Sequence, residues 1–203
     1  MKKFLKIFGL VMLVLAVIII GILTILTRDK NNLDKQISRA KVQVENYKNY
    51  KPDNKEYFKV VRSEKNDLYY YAADGKRYIF PSLEVYRSWY NEFLTVNLKV
   101  ADLKTLYQTP LGGSVTFRPG TLMQTPTDPH IYMVIKNGEI RPLANEDMLL
   151  KIYGDNWQKQ VSNIENYYFT EYKVGPVINS IQDFPDIPKS ITINLDKGLN
   201  NEK

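Results

Sequence analysis

The chain has no cysteine and only one histidine, His130, among its 203 residues. Without thiols, cysteine nucleophiles and thiolate metal sites are excluded. With one imidazole, a Ser-His-Asp triad would have to use His130, and no G-x-S-x-G motif surrounds any serine. His130 follows Pro129 at the mouth of an expected strand, which is a surface or capping position. The sequence also lacks G-x-x-x-x-G-K-[ST] and G-x-G-x-x-G, so no loop is built to cradle nucleotide phosphates. Asp155 and Asn156 form only a fragment of a calcium loop. Glu84 with Glu92, and Asp147 with Asp155, are carboxylate pairs that a small hydrolase could use, but acidic residues at helix ends have structural reasons to be there. The expectation is a protein that is not an enzyme, with no catalytic residue, metal ligand or cofactor.

Charge of one sign is scarce as well. The net charge is +6, but removing Lys2, Lys3 and Lys6 leaves 25 basic against 22 acidic residues. That is an ordinary mixed surface, and Lys99, Lys104, Lys136 and Arg141 are too scattered to form the basic face of a nucleic-acid binder. No nucleic-acid partner is expected.

Only one long hydrophobic run is present, from Ile7 to Leu26. Twenty helical residues span about 30 Å, the thickness of a bilayer core, so the run reads as a transmembrane helix with the lipid bilayer as partner. It is longer than a signal-peptide core and has no A-x-A-like cleavage site, which points to an uncleaved signal anchor. Flanking charges nearly balance: Lys2, Lys3 and Lys6 precede the run, and Arg28, Lys30, Lys35, Arg39 and Lys41 follow it. The short N-terminal tail favours a single-pass protein of the cell membrane, with its N-terminus cytoplasmic and its C-terminal body extracytoplasmic.

After the run, Leu33, Ile37, Ala40, Val44 and Tyr47 are spaced 4, 3, 4, 3, the seam of a short coiled coil. These residues are the candidates for weak homo-oligomerisation. Asn31 or Asn32 is a candidate cap, and Pro52 forbids continuation of the helix.

The body carries an internal repeat. Tyr69-Tyr-Tyr-Ala-Ala-Asp-Gly75-Lys-Arg-Tyr-Ile-Phe80 recurs loosely, 63 residues on, as Tyr132-Met-Val-Ile-Lys-Asn-Gly138-Glu-Ile-Arg-Pro-Leu143. Asp-Gly and Asn-Gly between apolar strands suit type I′ hairpin turns. A helix follows each hairpin. Ser82 caps an apolar stripe of Tyr86, Trp89, Tyr90 and Phe93, and Asn145 caps one of Leu149, Ile152 and Tyr153 that Gly154 stops. Val115 to Met123 reads as two strands joined at Pro119-Gly120. Trp89 and Trp157 are expected in the core. Tyr70, Tyr78 and Tyr132 are candidate surface aromatics for a ligand, because a tyrosine offers a flat apolar face with a polar tip. Envelope polysaccharide or another surface protein is the partner that such residues suggest.

Asp74-Gly-Lys-Arg-Tyr-Ile-Phe-Pro81, Pro110-Leu-Gly-Gly-Ser-Val-Thr-Phe-Arg-Pro-Gly120-Thr, Asp128-Pro-His-Ile-Tyr132, Leu150-Lys-Ile-Tyr-Gly-Asp-Asn-Trp157 and Tyr172-Lys-Val-Gly175 occur in that order. Together they resemble an uncharacterised paired repeat module of exported and cell-surface proteins in reduced-genome candidate-phyla bacteria. The resemblance implies an extracytoplasmic location and carries no catalytic or ligand-binding residues. This chain departs from the pattern at Arg141-Pro142-Leu143-Ala144.

The expected fold class is α+β: an N-terminal transmembrane helix and helical stalk, then one domain of two degenerate hairpin–helix (ββα-plus-strand) repeats. The expected boundaries are a basic tail at 1–6, a transmembrane helix at 7–27 and a stalk or linker at 28–56. The paired-repeat domain would follow at 57–181, with copies at about 67–118 and 128–179, and a polar tail at 182–203. The expected function is a membrane-anchored surface protein with a non-catalytic binding or scaffolding domain. A carbohydrate or cell-wall binding module and a small envelope hydrolase are the alternatives.

Overall fold

The computed structural model describes the backbone of residues 2–49, 59–90, 98–188 and 190–199, with side chains from Leu15 onward except Tyr47 and Lys48. The chain is mixed α+β and divides into two compact units, Met1–Ala40 and Lys41–Lys203.

The first unit is helical. Helix α1 runs without a break over Lys2–Lys48 and continues into the second unit. Asn31 and Asn32 lie inside it and cap nothing, because no helix start occurs there. Pro52 lies outside the described residues. The transmembrane expectation requires correction. Among the described residues, no helix is long and apolar enough to cross a membrane. Side chains are described from Leu15 onward, so residues 7–14 of the run lie outside them. The transmembrane helix, the signal anchor and the single-pass membrane localisation, with its N-in orientation, are therefore not supported.

The second unit contains two sheets of related design. In the first, β1 (Val60–Arg62), β2 (Leu68–Tyr71) and β3 (Arg77–Ile79) form an antiparallel meander, and β4 (Leu111–Ser114) joins β3 in parallel. In the second, β5 (Leu122–Thr125), β6 (Asp128–Val134) and β7 (Glu139–Pro142) form the meander, and β9 (Lys173–Val174) lies parallel to β7. The second sheet gains β8 (Val161–Asn163), parallel to β5 at its other edge. Each copy thus begins one strand earlier than the hairpin visible in the sequence. Helix α2 (Leu83–Tyr90) follows β3, α3 (Leu103–Gln108) precedes β4, and α4 (Glu146–Tyr153) follows β7. Helices α2 and α4 are offset by 63 residues, the spacing of the sequence repeat.

Local chemistry explains these elements. Ser82 Oγ accepts the Val85 N–H at 3.2 Å, and Asn145 Oδ1 accepts the Asp147 N–H at 2.8 Å, so both helices start on a capping side chain. In the second hairpin Asn137 (φ 62°) and Gly138 (φ 68°) both take the left-handed conformation of a type I′ turn. The first hairpin differs. Only Gly75 is left-handed there (φ 78°), and Asp74 keeps a negative φ while its carboxylate accepts the Lys76 N–H. The Gly75 N–H bonds the Ala72 carbonyl, which makes a type I turn followed by a glycine bulge. At 118–121, the Thr121 N–H bonds the Arg118 carbonyl across Pro119-Gly120, the turn expected there. Residues 115–117 before it, however, do not form a strand.

One core serves both copies. Tyr70, Tyr86, Trp89 and Phe117 from the first copy share a buried cluster with Met123, Val134, Ile140 and Tyr172 from the second. The segment between them is its axis. Residues 114–123 are all buried, and the Thr116 carbonyl accepts the Trp89 indole N–H at 2.8 Å. From the second copy, the Tyr172 hydroxyl accepts the Phe117 N–H at 2.8 Å.

The C-terminal region also departs from expectation. Among its described residues it is not a trailing tail. Helix α5 (Ile193–Asp196) is short, with Ile191 and Ile193 in the shared core. Asn194 Oδ1 accepts the Ala73 N–H at 2.9 Å, and Asp196 Oδ1 accepts the Asn137 N–H at 3.0 Å. One turn of helix therefore clasps the tips of both hairpins.

Candidate functional site

None of the candidate tyrosines presents a free ring. Tyr70 is 0% exposed, and Tyr78 and Tyr132 are each 6% exposed. In β2 the alternation runs buried, half-buried, buried, half-buried from Leu68 to Tyr71, so Tyr70 points into the shared core. Tyr69 and Tyr71 take the other face, where they pack on Val61, Ala101 and Leu106. Both faces of this strand are covered, and alternation alone could not say which tyrosine was outermost.

The polar tips of Tyr78 and Tyr132 are committed. The Tyr78 hydroxyl donates to Asp74 Oδ2 at 2.8 Å, and the Lys197 ammonium sits 5.0 Å from its ring centre. The Tyr132 hydroxyl donates to Asp128 Oδ2 at 2.6 Å, and its ring meets Phe169 edge-on. Burial, with the nearby carboxylate second, pushes both phenols up to about 12.

His130, the one imidazole, is exposed, and its Nδ1 lies 2.6 Å from Asp128 Oδ1. Asp128, His130 and Tyr132 alternate on β6 and so share a face. The Tyr132 hydroxyl, followed by the His130 backbone N–H, holds the Asp128 carboxyl down at about 2. The i, i+2, i+4 spacing of these residues was the signal that could have revealed the cluster. It orders the start of β6.

The oligomerisation candidates divide. Leu33 is 40% exposed, whereas Ala40 and Val44 are 4% and 2% exposed. Ile37 is half-buried, and the Tyr47 side chain lies outside the described residues. Val44 is a buried position of the second unit.

The groove that the structure does present lies between the copies and has a volume of about 570 Å³. Helix α2 of the first copy lines one side with Glu84, Arg87 and Ser88. Gly120 to Leu122, Tyr153 and Gln160 to Ser162 line the other. Glu84 Oε2 accepts the Asn163 N–H at 3.0 Å across the gap, so the carboxylate caps the free edge of β8. Ser88 Oγ accepts the Arg118 N–H at 3.1 Å and donates to the Val85 carbonyl, tying the groove floor to the buried linker. Glu92, the proposed acidic partner of Glu84, lies outside the described residues. Asp147 and Asp155 are not among the lining residues. Among the described residues no cluster of three or more His, Asp or Glu could hold a metal ion. The sequence held no sign of this groove, because its lining comes from segments separated along the chain, with residues 84–88 on one side and residues 120–122, 153 and 160–162 on the other.

Compared with known proteins, the chain matches no family model and no curated sequence.

Proposed function

We propose that the body of this chain is a non-catalytic binding module whose ligand sits in the groove between its two repeat copies. The observation that carries this reading is the groove itself. At about 570 Å³ it falls within the range of sites for small ligands and is built from both copies, so the paired architecture creates it. A binding role rather than a catalytic one is supported by its chemistry. Glu84 is its single carboxylate and already holds a backbone N–H, and His130 stands outside the lining. A general acid and base pair, or a nucleophile with an adjacent base, has no counterpart in this lining.

A ligand-independent test is fragment screening of the full chain by amide NMR. Hits should converge on the amides of Glu84, Arg87, Thr121 and Ser162. Hits that cluster elsewhere, or turnover of ester, glycoside or phosphate substrates by the full chain, would overturn the reading.

A further inference from the structure

We infer that the ligand of this groove is an uncharged polyhydroxyl compound, a neutral saccharide, an inference that rests on the binding reading above. The argument follows from which polar atoms of the lining are still uncommitted. Ser88 is spent on the Val85 carbonyl and the Arg118 N–H, and Thr121 Oγ1 donates to the Arg118 carbonyl. Gln160 Nε2 donates to the Tyr153 carbonyl at 3.0 Å, which leaves its Oε1 as an acceptor. Glu84 gives one oxygen to Asn163 and keeps the other. Arg87 is exposed and, among the described residues, forms no ion pair with Glu84 or any other group. Ser162 contributes a hydroxyl with no side-chain bond among the described residues.

The groove therefore offers two planar acceptors, one planar fork of donors and a hydroxyl that can do either. A charged ligand is poorly matched. An anion drawn to Arg87 meets the Glu84 carboxylate three residues away on the same helix, and a cation drawn to Glu84 meets Arg87. A pair of adjacent sugar hydroxyls donates to a carboxylate or amide oxygen and accepts from a guanidinium, so it satisfies both walls without net charge. Leu122, Val161 and the Tyr153 ring supply the apolar surface on which the C–H face of a sugar ring packs. This places saccharide recognition between the copies, on residues other than Tyr70, Tyr78 and Tyr132.

The test is calorimetric and NMR titration of the full chain with four probes: a neutral cello-oligosaccharide, an oligogalacturonate, a cationic glucosamine oligomer and an uncharged peptide. The neutral oligosaccharide should bind and shift the amides of Glu84 and Ser162. Arg87→Ala and Glu84→Gln should each weaken it about tenfold, with the amide spectrum otherwise intact. Tyr107→Ser, outside the groove and 76% exposed, should leave affinity unchanged. If only the acidic, cationic or peptide probe shifts the groove amides, the saccharide inference falls and the binding reading stands. If no probe or fragment shifts them, both fall.

Discussion

Asp196 shows what burial does to a single side chain. Desolvation raises its carboxyl from 3.8 to about 6, although the Asn137 N–H and the lysines at 136 and 197 pull the other way. Its folded-state affinity for a proton exceeds that of the unfolded chain, so this residue's contribution to stability is greatest at low pH. It is lost as pH rises from about 4 to about 6, by up to about 3 kcal/mol. Asp196→Asn keeps an acceptor for Asn137 and removes the charge. Urea unfolding at pH 4.5 and 7 should show the wild type weaker at pH 7 and the variant with a flatter profile. Equal pH profiles for the two proteins would contradict this account. Asp128 behaves in the opposite sense. Held at about 2 when folded, it supports the fold above the normal carboxylate range, and that support fades as pH falls below about 4. Tyr132→Phe removes its main hydrogen bond, so the Asp128 carboxyl should titrate closer to its ordinary value, as followed by carboxyl-carbon NMR.

At the scale of elements, two glycines separated by the repeat spacing do different work. A Cβ on Gly112 of β4 would lie 2.5 Å from Cζ of Tyr78, a ring packed in the core. A Cβ on Gly175, the matching position after β9, would meet the flexible end of Glu139. Gly112→Ala should therefore cost about 1–3 kcal/mol in chemical denaturation, and Gly175→Ala much less. Equal losses would show that the close approach of β4 to β3 is not what requires glycine at Gly112. Much at this scale was legible beforehand. The Asn137-Gly138 turn, the Pro119-Gly120 turn, and the Ser82 and Asn145 caps all rest on chemistry within four residues. The leading strands β1 and β5 were not legible as part of each copy, since a short strand is recognisable chiefly by the partner it pairs with.

In the molecule as a whole, the C-terminal clasp links the two copies at their hairpin tips. Its helix is a single turn and would not persist alone, so burial of Ile191 and Ile193 together with the two side-chain bonds must hold it. Deleting residues 190–203 should leave Ala73 and Asn137 without their acceptors. Hydrogen exchange at those two amides should then accelerate well before exchange in β6. Unchanged protection at Ala73 and Asn137 would show that the clasp contributes nothing there.

The sequence by itself determined the repeat spacing, the places of the turns, the caps and the apolar stripes of α2 and α4, because each is a matter of neighbours along the chain. Tertiary structure alone decided that Tyr70, Tyr78 and Tyr132 face inward, that the polar C-terminal region closes the domain, and that a groove opens between copies. A strand's alternation gives two faces without saying which is covered, and a groove between α2 and β8 exists only once distant segments have packed.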